Sequence, residues 1–138
     1  MLIETNTNNR KTVLSTLWIF YLFNILYADV LNLMGDIPNN SIENDELITS
    51  LLTPEMLLAA AIFLETAMVM IFLSRLLTFK PNRIVNIVVS FIHLVAVIAS
   101  LFVVSPPIYY IFFATVEVST SIFIIWYAWT WKPQEKSI

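Results

Sequence analysis

The sequence predicts an all-α protein of the polytopic membrane class, an antiparallel bundle of four transmembrane helices. Its 138 residues are 59% hydrophobic and 12% charged, whereas a soluble domain is roughly 45 to 50% apolar and about 25% charged. The mean hydropathy is +0.81. Four apolar runs each reach the roughly 20 residues that a hydrocarbon core of about 30 Å requires. They take up most of the chain, so we expect one transmembrane domain over residues 1–138 and no separate soluble domain.

The first apolar run covers about residues 12–34, which is too long for the core of a signal peptide. Gly35 follows it, where the end of a helix commonly needs a left-handed residue, so we expect the first span to stop there. The loop beyond contains a segment at about 41–52 that predicts a short amphipathic helix on the membrane surface. Asn40 and Glu43 form its capping box.

The second apolar run covers about residues 54–79. Thr53, Pro54 and Glu55 supply an N-cap, a first-turn proline and an acid at the positive end of the helix dipole. These three residues predict the start of the second span.

The third run covers about residues 83–104, and Asn82 is placed to cap its first turn. The fourth covers about residues 107–131 and follows after a few residues that include Pro106. Helices joined by so short a connection are antiparallel neighbours. The third and fourth spans therefore predict a tight hairpin.

The charged residues indicate how the bundle is oriented. All seven basic residues fall on one side of the predicted topology, and the loop after the first span carries only acids among its charged residues. By the positive-inside rule the basic side is cytoplasmic. We therefore expect a multi-pass protein of the plasma (inner) membrane with both chain ends in the cytoplasm. The basic residues are Arg10, Lys11, Arg75, Lys80, Arg83, Lys132 and Lys136.

Each predicted span contains a polar residue that is rare inside a bilayer: Asn24 and Asp29, then Glu65, then His93, then Glu117. At 1.5 Å per residue all but Asp29 lie roughly 15 Å from the outer end of their helix, near the middle of the bilayer. A charge at that depth costs several kcal/mol, so such residues usually face the interior and pair with one another. We expect Glu65, His93 and Glu117 to share one interior cavity. Asn24 would line it, and Asp29 would lie toward its outer mouth.

The second and fourth spans resemble each other weakly around Glu65 and Glu117, which suggests two related hairpins with a binding site at their interface. For both glutamates, a role in binding a ligand or proton and a hydrogen-bonded structural role remain open. Asn24 fits a structural role better, since amides often bond neighbouring helices. Asp29 fits either role.

The composition excludes several kinds of site. Cysteine is absent and His93 is the single histidine, so we expect no zinc, haem or iron-sulfur site and no other cofactor. No basic arm is present that would bind nucleic acid. The expected partners are the lipid bilayer, a second copy of the chain, and a small hydrophobic ligand or a cation.

Four segments with their polar residues cover most of the chain outside the first loop and the tails: LSTLWIFYLFNILYADVLNLM, LETAMVMIFLSRLL, PNRIVNIV and YYIFFATVEV. In these segments the chain resembles an uncharacterised family of small four-span prokaryotic membrane proteins that is loosely similar to the DoxX-like proteins. The resemblance implies a four-helix bundle in a prokaryotic plasma membrane and no established activity. DoxX-like proteins are linked to quinone and sulfur redox chemistry, but no motif here matches that link.

Three functions fit these residues. The first is a carrier or channel in which Glu65 and Glu117 bind a proton, a cation or a small molecule. The second is a membrane enzyme on a lipid-like or quinone substrate, with His93 and a glutamate as acid and base. The third is an accessory subunit whose buried polar layer fixes the helix register. The missing nucleophile and metal motifs weigh against the enzyme.

Overall fold

The structure is a computed structural model, and it describes residues 2–36, 53–102 and 106–132. Those ranges contain four α-helices and no strand, and each helix is long and apolar enough to cross a membrane. The prediction of an all-helical protein with four candidate transmembrane helices is confirmed. The helices are α1 (Leu2–Asp36), α2 (Pro54–Leu76), α3 (Phe79–Ser100) and α4 (Ile108–Trp129).

The four helices form a ring in which each helix packs against its neighbours in the sequence. Helix α1 contacts α2, α2 contacts α3, α3 contacts α4, and α4 closes the ring by packing against α1. The two tightest pairs are α3 with α4 and α1 with α2, and α2 touches α3 less extensively. The expectation that consecutive spans lie side by side is therefore met.

One end of the ring holds the basic residues that the structure describes, and we call it the basic end. Arg10 of α1 donates to the Tyr127 carbonyl of α4 at 3.1 Å, and Lys11 donates to the Arg75 carbonyl of α2 at 3.4 Å. Both carbonyls lie in the last turn of a helix, where hydrogen-bond acceptors are left free and the dipole favours a cation. The Arg75 side chain in turn donates to Ser15 of α1 at 3.1 Å. These contacts tie the first turns of α1 to the ends of α2 and α4.

Helix α3 has its polar side chains on the inside of the bundle. The buried residues of α3 are spaced by three or four, and all but one of them are polar. The opposite side of the helix is apolar and exposed, as at Ile84, Val88, Phe91 and Val95. That arrangement suits a lipid environment, because hydrocarbon cannot satisfy a polar group. The buried residues of α3 are Asn82, Asn86, Ser90, His93 and Val97.

Two predicted boundaries of the first span differ from the structure. Helix α1 begins at Leu2 instead of near residue 12 and has 35 residues, a length of about 52 Å. It therefore extends beyond a hydrocarbon core of about 30 Å. The helix also continues through Gly35 to Asp36, and no described residue has a positive φ angle. The predicted surface helix at 41–52 lies outside the described residues.

The predicted start of α2 is confirmed, whereas that of α3 is corrected. The Met56 N–H donates to the Thr53 side chain at 3.3 Å, so Thr53 is the N-cap. Helix α3 begins at Phe79 after Thr78, and no side chain caps it. Asn82 caps the other helix instead: its amide donates to the Ser74 carbonyl at 2.7 Å, at the end of α2. The turn between α2 and α3 is so short that the amide reaches back to carbonyls that α2 leaves free.

Candidate functional site

Glu117 is the most deeply placed carboxyl group that the structure describes. It is 7% exposed, on the inner side of α4. Within the described residues it makes no hydrogen bond and no ion pair, and the neighbours within its electrostatic reach are Tyr21 and Asp29 of α1. A buried polar group without a partner costs free energy. Glu117 therefore lies where a bound proton or cation would neutralise it, and the described residues supply no such cation.

The position of Glu117 on α4 explains why it faces inward. At about 100° per residue, it lies within about 60° of Ala114, Ser121 and Ile124, which are also buried. These residues form the stripe that packs against α1 and α3. The prediction that Glu117 lies in the interior agrees with this placement.

His93 lies at the centre of the bundle and is fully buried. Its Nε2 atom lies 2.9 Å from the Thr66 hydroxyl of α2, and its Nδ1 atom lies 3.3 Å from the Tyr21 hydroxyl of α1. The Phe63 ring stacks on the imidazole with centroids 3.9 Å apart, and Trp18 and Tyr21 meet it edge-on. His93 of α3 thus contacts side chains of both α1 and α2, through both ring nitrogens and through the ring itself.

The hydrogen bonds around His93 assign its tautomer. The Thr66 hydroxyl already donates its proton to the Phe63 carbonyl at 2.7 Å, so its oxygen accepts from His93 Nε2–H. Nδ1 then carries a lone pair and accepts the Tyr21 O–H. This is the neutral imidazole with one donor and one acceptor nitrogen.

Tyr21 connects the two candidate residues. Its hydroxyl donates to His93 and lies within electrostatic reach of Glu117. The buried Ser121 hydroxyl is also close to it, without a hydrogen bond of good geometry. Glu117, Tyr21 and His93 therefore form a row from α4 through α1 to α3, which we call the central row. Sequence reasoning missed Tyr21, although it is spaced three residues from Trp18 on the buried stripe of α1.

The two predicted residues on α1 take different positions. Asp29 is exposed and lines a groove between α1 and α2, while its carboxylate remains close enough to Glu117 for the two charges to repel. Asn24 is buried and donates to the Phe20 carbonyl one turn earlier at 2.9 Å. That bond lies within α1, which fits the structural role expected for an amide in a span.

The structure corrects the predicted orientation of Glu65. This residue is exposed on α2 and does not face the interior with Glu117. On a helix it lies about 180° from Ser74 and about 200° from Ala67, the buried residues that turn α2 toward its neighbours. Glu65 and Glu117 thus do not hold equivalent positions in the two hairpins. A binding role for Glu65 stays a prediction.

A second polar cluster, between the central row and the basic end, was not among the predicted site residues. Asn86 accepts from Trp18 Nε1 at 2.8 Å and from the Ser74 hydroxyl at 3.2 Å. It also donates to the Asn82 side chain at 2.7 Å. All four residues are essentially unexposed, and we call them the asparagine cluster. The spacing of Asn82, Asn86, Ser90 and His93 by three or four would have revealed them as one inward stripe.

The described residues bring no three His, Asp or Glu side chains together in a way that would hold a metal ion. A family model matches residues 1–137 and is described as Family of unknown function (DUF6326). No curated protein and no solved structure matches the chain.

Proposed function

The chain belongs to this uncharacterised family, and from the surroundings of Glu117 we propose that it is a carrier that binds a proton or a cation in the middle of the membrane. Glu117 is the proton-binding group. Tyr21 and His93 fix the position and hydrogen bonding of the site around it.

One observation carries this proposal: Glu117 is 7% exposed, and no cation of the described residues reaches it. The groups that face it are Tyr21 and Asp29 of α1, and His93 of α3 through Tyr21. Tyr110, about two helical turns from Glu117 on α4, interacts with Tyr21. None of these neutralises a carboxylate, so a proton or a bound cation must do so. Intramembrane acids commonly mark such pathways.

The orientation of the carrier is part of the proposal. The basic end faces the cytoplasm by the positive-inside rule, in a plasma membrane, with both chain ends on that side. Reporter fusions at residue 44 and at the C-terminus test it, and a cytoplasmic reporter at residue 44 would contradict it. The likeness to DoxX-like proteins stays a prediction.

The test is infrared spectroscopy of the protein in liposomes over a range of pH. A protonated carboxyl group inside the membrane has a C=O stretching band that shifts in D₂O. We expect Glu117→Gln to remove a band that the parent shows and that depends on pH. Glutamine keeps the shape of the side chain and cannot ionise.

Glu65→Gln is the matched control, because Glu65 is also a glutamate in the middle of a span but is exposed. It should leave the Glu117 band in place. If Glu117→Gln leaves every carboxyl band unchanged, Glu117 does not bind the proton and the proposal is wrong.

The asparagine cluster favours a second candidate, an accessory membrane subunit whose polar interior only fixes the helix register. Its members satisfy one another, as a structural network does. The central row differs from it, because Glu117 has no hydrogen-bond partner among the described residues. The enzyme gains no such support, since neither nitrogen of His93 contacts a carboxylate there.

A further inference from the structure

A groove between α1 and α2 is open to the outside of the bundle, and none of its lining residues belongs to the central row. Its volume is about 340 Å³, and eight apolar residues and one acid line it. The acid is Asp29. Ligand sites in proteins are typically apolar clefts of about 300 to 1,000 Å³ with a few placed polar groups, so the groove has the size and composition of a small ligand site.

The two ends of the groove differ in polarity. Asp29 and Ile19 both line it, ten residues apart on α1, which corresponds to about 15 Å along the helix. Asp29 lies toward the end opposite the basic end, and Ile19 lies toward the middle of the bundle. Leu64 and Ile71 form the facing wall on α2. A ligand that fits would have one polar head beside Asp29 and an apolar body extending toward Ile19.

The charges near Asp29 indicate which head group of a ligand the groove favours. The second carboxyl group within its electrostatic reach is Glu117, and the basic residues that the structure describes all lie toward the other end of the helices. A carboxylate accepts hydrogen bonds and attracts cations. Two neighbouring carboxylates without a cation of their own therefore favour a positively charged head over a neutral or anionic one.

The volume of the groove indicates what apolar body the ligand has. The groove has about 340 Å³, which lies in the range of sites for small ligands. An unbranched hydrocarbon tail is narrow enough to lie in it.

We propose that this groove binds a single-tailed amphiphile whose cationic ammonium head pairs with Asp29 and whose tail lies along α1 and α2 toward Ile19. The inference deepens the proposed function, on which it rests for the coupling of the two sites: a cation at Asp29 and a proton on Glu117 compete, because each reduces the same local negative charge.

The experiment measures binding of dodecyltrimethylammonium to the full chain in phosphatidylcholine nanodiscs by calorimetry, with empty nanodiscs subtracted. Dodecyl maltoside serves as the neutral probe with the same tail. We expect the cationic probe to bind at one site and the neutral probe to bind at least about tenfold more weakly. Equal binding of the two probes would mean that the groove holds hydrocarbon alone, and it would overturn the inference.

Two variants locate the site. Asp29→Asn keeps the shape and removes the charge, so it should weaken the cationic probe about tenfold or more. Leu64→Trp fills the groove and should weaken both probes. Glu65→Gln removes an acid next to Leu64 in sequence that does not line the groove, and it should bind like the parent. If Asp29→Asn also binds like the parent, the inference is wrong.

The outcomes separate the two proposals. Loss of binding in Asp29→Asn, with the carboxyl band of Glu117 retained in that variant, supports both. Unchanged binding in Asp29→Asn with a Glu117 band present overturns the groove and leaves the proton site. Charge-dependent binding at Asp29 without any Glu117 band overturns the proton site and leaves the groove.

Discussion

The Tyr21 hydroxyl lies 3.3 Å from His93 Nδ1 and joins α1 to α3 across the centre of the bundle. These helices are not neighbours in the ring, so the two long side chains bridge the space between them. The same hydroxyl lies near Glu117. Tyr21 is therefore the residue through which a change at Glu117 would reach His93.

Tyr21→Phe should break the link between Glu117 and His93 and keep the fold. It removes one hydroxyl and leaves His93 Nδ1 without its donor, but it keeps the ring that packs against Trp18 and His93, so we expect the free energy of unfolding to fall by about 1 to 3 kcal/mol. The carboxyl band of Glu117 should shift in frequency, because a hydroxyl within its electrostatic reach is gone. Ser119→Ala, which removes an exposed hydroxyl on the same helix as Glu117, should leave the band where it is.

The tautomer of His93 can be observed directly, because it is the single histidine of the chain. In ¹⁵N-histidine-labelled protein we expect the proton on Nε2 and a lone pair on Nδ1. Thr66→Val removes the acceptor of Nε2–H and should shift that resonance most. A spectrum with the proton on Nδ1 would contradict the hydrogen-bond assignment.

Asn86→Leu should destabilise the bundle by about 1 to 3 kcal/mol, because it leaves Trp18 Nε1–H and the Ser74 hydroxyl without their shared acceptor. Unfolding in mixed micelles measures the change. Val88→Leu alters an exposed residue of the same helix and should stay within about 0.5 kcal/mol of the parent. A neutral effect of Asn86→Leu would show that the asparagine cluster does not hold the helices together.

The exposed position of Glu65 has a spectroscopic consequence. The chain has no cysteine, so a single spin label can be attached at residue 65 or residue 117. A label at 65 should be relaxed strongly by oxygen, which dissolves in lipid, and a label at 117 should be protected. Equal accessibility of the two labels would contradict the orientation of α2.

The fold was predictable because each apolar run is long enough to cross a membrane, and Thr53 and Pro54 mark the start of α2. That Glu117 and His93 lie at a similar level of the bundle was also predictable, since it needs only the rise per residue. Rotation about the helix was not: a single acid such as Glu65 does not tell which side of an almost wholly apolar helix faces its neighbours. Where several polar residues repeat every three or four positions, as on α3, the sequence itself indicates which side of the helix faces inward.

The side-chain partners were harder to predict than the rotation. Asn82 lies near the start of α3 and resembles a cap, but it bonds to the end of α2 because the connecting turn is so short. Tyr21 resembles any other aromatic residue of a span. Its importance depends on a contact with α3, 72 positions along the chain, which local pattern does not contain.

The inward polar side of α3 has a consequence for how the protein is made. Most of its side-chain partners belong to the first hairpin: Trp18 and Tyr21 on α1, and Thr66 and Ser74 on α2. Each hairpin is apolar enough to enter a bilayer by itself, but alone it exposes half of these donors and acceptors to hydrocarbon. A chain divided between residues 77 and 78 and synthesised as two pieces should therefore reassemble in the membrane. The unpaired donors and acceptors of each piece would bind those of the other piece.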